Sequence, residues 1–189
     1  HILLDRGDDA EGKPLERPTL FFLGANYRTA QGEHGNFYYD ECFWAQDFDA
    51  LDDVASGMAS QKRYRETYFS TPSSVAHPAY RKWTGEKFNE GRAKGETVKI
   101  DLSPELIRDG HDGADGIWRQ RVTIEDAAAG GCNLFDIDEL RRRKAPDVFA
   151  NLYLCEFVDD TASAFPFAMM RRCQVDSLEA WPDFQPFAL

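Results

Sequence analysis

Short apolar runs separated by polar connectors set the organisation of this chain, with no internal repeat and no low-complexity tract. Thr19-Leu20-Phe21-Phe22-Leu23-Gly24 is continuously apolar until its closing glycine, which predicts a strand covered on both faces, as in a parallel sheet. The charged, Gly- and Pro-bearing stretch from His1 to Pro18 predicts a strand end and a surface loop ahead of it. A polar connector, Ala25 to Gly35, leads to a second run, Phe37-Tyr38-Tyr39. Phe48, Leu51, Val54, Ala55 and Met58 fall on one face of a helix. A third run, Thr67-Tyr68-Phe69-Ser70, is rich in β-favouring residues and stops at Thr71-Pro72. Strand, helix, strand in that order is a βαβ unit, which predicts parallel strands and a right-handed crossover.

Beyond Pro78 the pattern loosens. Tyr80 to Lys94 reads as a helix around Trp83 and Phe88, and Thr97 to Leu102 alternates like an edge strand. Asp109 to Gly116 is a loop by composition. Its acidic residues have the wrong period for an EF-hand, whose ligands alternate and end on a glutamate. Asp136 to Arg141 opens a helix with acidic residues, Ala145-Pro146-Asp147 breaks it, and Val148 to Leu154 continues as a second helix started by Pro146. Ser163 to Leu189 carries three prolines among aromatics and reads as an extended linker with one short helix. A soft boundary near Gly130-Gly131 divides residues 1–130 from residues 131–189.

Composition narrows the classes. In 189 residues, 42% are hydrophobic and 13% aromatic, enough for a real core. Thirty-three acidic against 22 basic residues give a net charge of −11. That balance argues against a domain that grips nucleic acid with its own surface, though not against one working beside DNA in a larger machine. Cys42, Cys132, Cys155 and Cys173 form no Cys-x-x-Cys pair, which suits packing in a reduced, cytosolic protein better than a disulfide scaffold or zinc site. Met169-Met170 reads as packing too. No apolar run is long enough to cross a bilayer, and no signal peptide opens the chain. A start at His1 and a stop at Leu189 read as a piece of something longer.

Two patterns carry chemistry. Asn36-Phe37-Tyr38-Tyr39-Asp40-Glu41 is an apolar strand ending in an acidic pair, the Walker B arrangement of a P-loop ATPase. Asp40, at the strand's carboxyl end, is positioned for the shell of a nucleotide-bound Mg²⁺. Glu41, one residue on, is positioned to polarise the attacking water as general base. The plain alternative is a chance acidic pair at a strand end. The second pattern is Ser70-Thr71-Pro72 at the end of the next strand. Its hydroxyls can donate to a phosphate or to the water, and the proline stiffens the turn. An ordinary Ser/Pro turn is the alternative there.

The residues that carry a family resemblance run through most of the chain. They are Phe22-Leu23-Gly24-Ala25-Asn26, Arg28-Thr29-Ala30-Gln31-Gly32, His34 through Glu41, and Val54-Ala55-Ser56-Gly57-Met58. Phe69 through Ser74, Trp118-Arg119-Gln120 and Asn151 through Asp160 complete the set. With these the chain resembles the large terminase subunit of tailed bacteriophages. The resemblance implies an ATP- and Mg²⁺-dependent motor that packages double-stranded viral DNA into a capsid. It further implies a homo-oligomer working with a portal protein and a small terminase subunit in the cytoplasm of the bacterial host.

Full-length members join an ATPase domain to an endonuclease domain. This chain has no G-x-x-x-x-G-K-[ST] phosphate loop, since Gly12-Lys13 is followed by Pro14, and no late acidic strand of the nuclease kind. The fold implied is α/β: part of a P-loop NTPase (ASCE-type), mostly parallel sheet with flanking helices, plus a small helical lid or linker. Residues 1–130 correspond to the second half of the ATPase domain and residues 131–189 to the lid leading to the nuclease. Alone, the piece is expected to be inactive.

By the same resemblance Asp40 is the metal residue, Glu41 the base, and Ser70-Thr71-Pro72 the motif that senses the γ-phosphate. Arg28, in the connector before the Asp-Glu strand, matches an arginine that reaches into a neighbouring subunit's nucleotide; its alternative is a solvated loop arginine. His34 reads as a packing or turn residue. Arg141-Arg142-Arg143-Lys144 reads as a solvated helix face, the alternative being contact with DNA or the nuclease domain. Two other functions stay open: a DExx-type helicase or translocase fragment, and a non-catalytic acidic interaction domain docking on a portal or small terminase subunit.

Overall fold

The computed structural model describes residues 2–3, 7–8, 10–13, 19–22 and 33–159. By their contacts these fall into two units, one holding the described residues up to Tyr39 with Asp47–Thr67, the other holding Asp40–Gln46 with everything described from Tyr68 onward. The class is α/β, with small sheets and short helices.

In the first unit β1 (Ile2–Leu3) pairs antiparallel with β2 (Thr19–Leu20), Ile2 opposite Leu20. The expected both-face coverage of the Leu20 run is not found. Leu20, Phe21 and Phe22 are exposed, Phe22 at 73%, and Leu23 lies outside the described residues. Helix α1 (Phe48–Met58) has the bounds its apolar spacing predicts. Its stripe of Phe48, Leu51, Ala55 and Met58 is buried, and each large side chain there contributes about 1.5–3 kcal/mol. Tyr39 stacks on Phe48 at 5.9 Å between ring centroids, and Phe37 meets Tyr39 edge-on. Strand β3 (Phe37–Asp40) thus turns Phe37 and Tyr39 inward and leaves Tyr38 and Asp40 exposed. It is a one-faced strand rather than one covered on both sides.

Strand β4 (Glu66–Phe69) forms a two-stranded sheet with β3. At their starts the Phe37 N–H donates to the Arg65 carbonyl at 2.9 Å. At their ends Ser70 reaches Glu41, so the two run in the same direction with α1 between them in sequence. The expected order of strand, helix and parallel strand is met there. The mostly parallel sheet is not: among the described residues the other two sheets are antiparallel. For one of them the connection explains it, because β5 (His111–Asp112) and β6 (Trp118–Arg119) are separated by a tight turn, whereas parallel strands need a long crossover.

Three further expectations in the second unit are corrected. The helix anticipated over Tyr80–Lys94 is two, α2 (Pro78–Thr84) and α3 (Glu86–Asn89), broken at Gly85. Gly85 has φ +81, and a Cβ there would lie 2.3 Å from Ile100 Cγ1, so only glycine fits. The edge strand anticipated over Thr97–Leu102 does not form. The Asn89 side chain accepts from the Val98 N–H at 2.9 Å and donates to its carbonyl at 2.8 Å, occupying both groups a strand neighbour would use. The Asp109–Gly116 loop contains β5 and leads into the β5–β6 hairpin, whose Trp118 ring leaves room for only a glycine at position 110.

That hairpin is locked by Arg119. Its guanidinium donates to the Asp115 carboxylate at 2.6 and 2.8 Å, to Ile117, and to the carbonyls of Lys82 and Trp83 at the end of α2. The Arg119 side chain is 3% exposed and that of Asp115 fully covered. The guanidinium's hydrogen bonds hold the Asp115 carboxyl below its usual range. A depressed carboxyl stabilises the fold above its unfolded pKa, and that contribution is lost as pH falls through the lower folded value. Arg119→Leu strands a buried carboxylate and is expected to cost about 3–5 kcal/mol. Chemical denaturation at neutral pH measures the loss, and acidification toward about pH 4, the carboxyl's unfolded value, should shrink it by protonating the stranded Asp115.

Helix α4 (Pro104–Asp109) precedes the hairpin. After it come α5 (Ile124–Ala129), started by a Thr123/Asp126 capping box, α6 (Ile137–Arg143), capped by Asp136, and α7 (Pro146–Leu154), with proline at its first position. The two helices expected around Ala145-Pro146-Asp147 are therefore present. Helices α5 and α6 pack on α7. Ser163–Leu189, with its anticipated linker, lies outside the described residues. Among the described residues no helix is long and apolar enough to cross a membrane.

Candidate functional site

The site lies within the second unit, where the segments after β3 and β4 meet. Asp40 ends β3 with its side chain exposed. Glu41 follows in the left-handed region, φ 53 and ψ 38, a conformation that costs a non-glycine residue on the order of 1 kcal/mol and gathers at functional positions. The chain then reverses through a 3-10 turn, Cys42–Trp44. On the other side Ser70 and Thr71 follow β4 immediately.

The hydroxyls face the carboxylate. Ser70 Oγ lies 3.1 Å from Glu41 Oε2 and 2.7 Å from the Thr71 carbonyl; its single proton serves one or the other. Thr71 Oγ1 lies 3.4 Å from the same Oε2. It also accepts from the Trp44 indole N–H at 2.9 Å, so its own proton is left for Glu41. The Phe43 N–H donates to Ser70 Oγ at 3.3 Å. Carboxylate and hydroxyls form one connected patch between residues far apart in the sequence.

A rigid frame stands behind that patch. Ser73 Oγ donates to the Phe43 carbonyl at 2.5 Å. His77 is 1% exposed. Its Nδ1 accepts from the Ala79 N–H at 3.2 Å, so Nε2 carries the proton it gives to the Ala45 carbonyl at 2.8 Å. Pro72 is buried, and its carbonyl accepts from Asn151 Nδ2 at 2.9 Å. Trp44, Ser73, His77 and Asn151 were not anticipated as site residues. His77-Pro78 was the one readable signal, a cap followed by a helix-starting proline.

Neighbouring groups offer little rival chemistry. Burial pushes the Cys42 thiol up to about 12, so it packs rather than attacks. Burial raises Cys155 as well. In the basic run, Arg141 pairs with Glu125 at 2.6 Å and lies over the Phe149 ring, and Arg143 pairs with Glu139. Two of that run's four charges are thus ion-paired within the chain, and Arg142 donates to the Asp138 carbonyl. Among the described residues no three His, Cys, Asp or Glu side chains gather as a metal cage. The exposed Asp40 carboxylate is a hard-oxygen donor of the kind Mg²⁺ takes, an ion commonly held by one or two carboxylates with phosphates and waters. His34 is exposed in the connector before β3. Arg28 lies outside the described residues.

Just past two parallel strand ends, then, Asp40 lies exposed and Glu41 meets the hydroxyls of Ser70 and Thr71. The family described as "Terminase large subunit, T4likevirus-type, N-terminal" matches residues 16–172, and the chain belongs to the terminase large-subunit family. It is 57% identical over 170 residues, 89% of its length, to the "Terminase, ATPase subunit" of Escherichia phage P2. It is 44% identical over 186 residues, 96% of its length, to the "Probable terminase, ATPase subunit" of Haemophilus phage HP1 (strain HP1c1). The chain spans 29% and 30% of the lengths of those relatives. No solved structure matches it.

Proposed function

We propose that this chain is the part of a terminase ATPase subunit that supplies the catalytic glutamate and its sensing hydroxyls to a motor that packages double-stranded viral DNA. The observation that carries the reading is the meeting of Glu41 with Ser70 and Thr71 just beyond two parallel strand ends. Asp40 is the residue to hold Mg²⁺, and Glu41 takes a proton from the attacking water. Ser70 and Thr71 aim the carboxylate and are the hydroxyls that would be offered to the γ-phosphate of a bound nucleotide. When bound, Mg-ATP supplies the transferable phosphoryl group and the positive charge that offsets its own.

Residues 1–130 form the second half of a P-loop NTPase domain and residues 131–189 the lid or linker. The phosphate loop and an endonuclease domain belong to other parts of the full-length subunit. So placed, the subunit assembles with its own copies, a portal protein and a small terminase subunit in the host cytoplasm.

Mg²⁺-dependent ATP hydrolysis by the full-length subunit tests the reading. Thr71→Val removes the proton that Thr71 directs at Glu41 while keeping the side-chain shape. Turnover should fall about 10- to 100-fold with little change in KM, the pattern of an interaction used in the transition state. An unchanged kcat would remove Thr71 from the site.

A further inference from the structure

We propose that Asn151 is a positioning residue for the Ser70–Thr71 hydroxyls, and that the segment it binds, Glu156–Val158, is the element through which the site is tied to the chain beyond α7. Asparagine is a poor choice inside a helix, yet this one is buried in α7. Both protons of its amide are used: Nδ2 donates to the Pro72 carbonyl at 2.9 Å and to the Glu156 carbonyl at 2.8 Å. Pro72 directly follows Thr71 and has no N–H of its own. Its carbonyl is therefore the backbone group by which that turn can be held.

The same segment grips the site at two further places. The Val158 N–H donates to the Ser73 carbonyl at 2.9 Å, and the Val75 N–H donates to the Val158 carbonyl at 3.0 Å. Together they make a short parallel bridge. Phe157 inserts its ring against Phe43 at 4.9 Å and Tyr80 at 4.8 Å, and Phe43 belongs to the turn that follows Glu41. Phe157 thus touches one wall of the site at Phe43 and Val158 the other at Ser73 and Val75, and Asn151 holds Glu156 just before them. Cys155, in the left-handed region at φ 55, sets the abrupt exit from α7 that makes this possible.

The consequence for turnover rests on the ATPase reading; the mechanical tie does not. In the full-length subunit, Asn151→Leu keeps the volume and deletes both donors. Amide exchange at Val75 should rise at least about tenfold while the amides of α1 stay unchanged. The kcat for ATP hydrolysis should fall about tenfold at constant KM. The double variant with Thr71→Val should lose much less than the product of the two single losses, because both act on the same hydroxyl pair. Asn151→Asp, isosteric but aiming oxygens at two carbonyls, should behave alike if the leucine variant does not fold. Unchanged exchange at Val75 overturns the tie, and so does loosening that spreads equally to α1. Losses in kcat that multiply in the double variant overturn the positioning role. A parent subunit that does not hydrolyse ATP sinks the ATPase reading, and the exchange result alone then decides the tie.

Discussion

Glu41→Gln should leave nucleotide affinity within a few-fold of the parent while hydrolysis falls by about 10² to 10⁴, the range a positioned general base supplies. The geometry makes this substitution clean. Both hydroxyl contacts go to one carboxylate oxygen, Ser70 at 3.1 Å and Thr71 at 3.4 Å. A glutamine can present its single carbonyl oxygen to the same pair, so the side chain stays in place and only its basicity is lost. Asp40→Asn separates the two acidic roles. It should raise the Mg²⁺ concentration needed for half-maximal nucleotide binding, because a neutral amide is a poorer ligand for a hard cation. Glu41→Gly adds a third readout: it relieves the left-handed backbone, so the variant should be inactive without being less stable. Binding by equilibrium titration, turnover by phosphate release and stability by denaturant melt distinguish these effects. If the glutamine and asparagine variants both turned over ATP at the parental rate, the acidic pair would have no catalytic part.

What the sequence made legible follows the range over which each feature is determined. Strands β3 and β4 and helices α1, α6 and α7 are set by local period and caps, and they form where the pattern places them. The partners Glu41, Ser70 and Thr71 were legible for a topological reason. Two parallel strands joined by a helix bring their carboxyl ends to the same edge, so residues just past both ends meet. The features missed depend on side-chain partners that no local period specifies. Val98 loses its strand neighbour to the Asn89 side chain. Asn151 finds Pro72 79 positions earlier. Arg119 caps α2 across 36 and 37 positions. In each case a side chain satisfies backbone groups that periodicity assigns to no one. The exposed Leu20–Phe22 run errs the other way: continuous apolarity signals that a surface can be buried, not what buries it.

Arg28 is the residue that the family resemblance matches to an arginine acting on a neighbouring subunit's nucleotide. If it acts in trans, its effect requires assembly, because no single subunit holds both the arginine and the phosphate it stabilises. Arg28→Ala should then lower ATPase activity steeply in the assembled motor, while nucleotide affinity of an isolated subunit barely changes. Arginine fingers supply on the order of 10³ to 10⁵ in rate where they operate, so the loss should be plain. Lysine at the same position should rescue poorly, since a point charge cannot reproduce the planar two-pronged contact. Mixing decides it. Subunits carrying Arg28→Ala keep an intact Glu41, and subunits carrying Glu41→Gln keep an intact Arg28. In a mixed assembly some neighbours pair an intact arginine with an intact base, and those interfaces should hydrolyse ATP although each parent assembly is nearly dead. Recovery should depend on the mixing ratio and peak at intermediate fractions, because a competent interface needs one subunit of each kind. Assemblies shown to be mixed that recover nothing at any ratio return Arg28 to a solvated loop arginine.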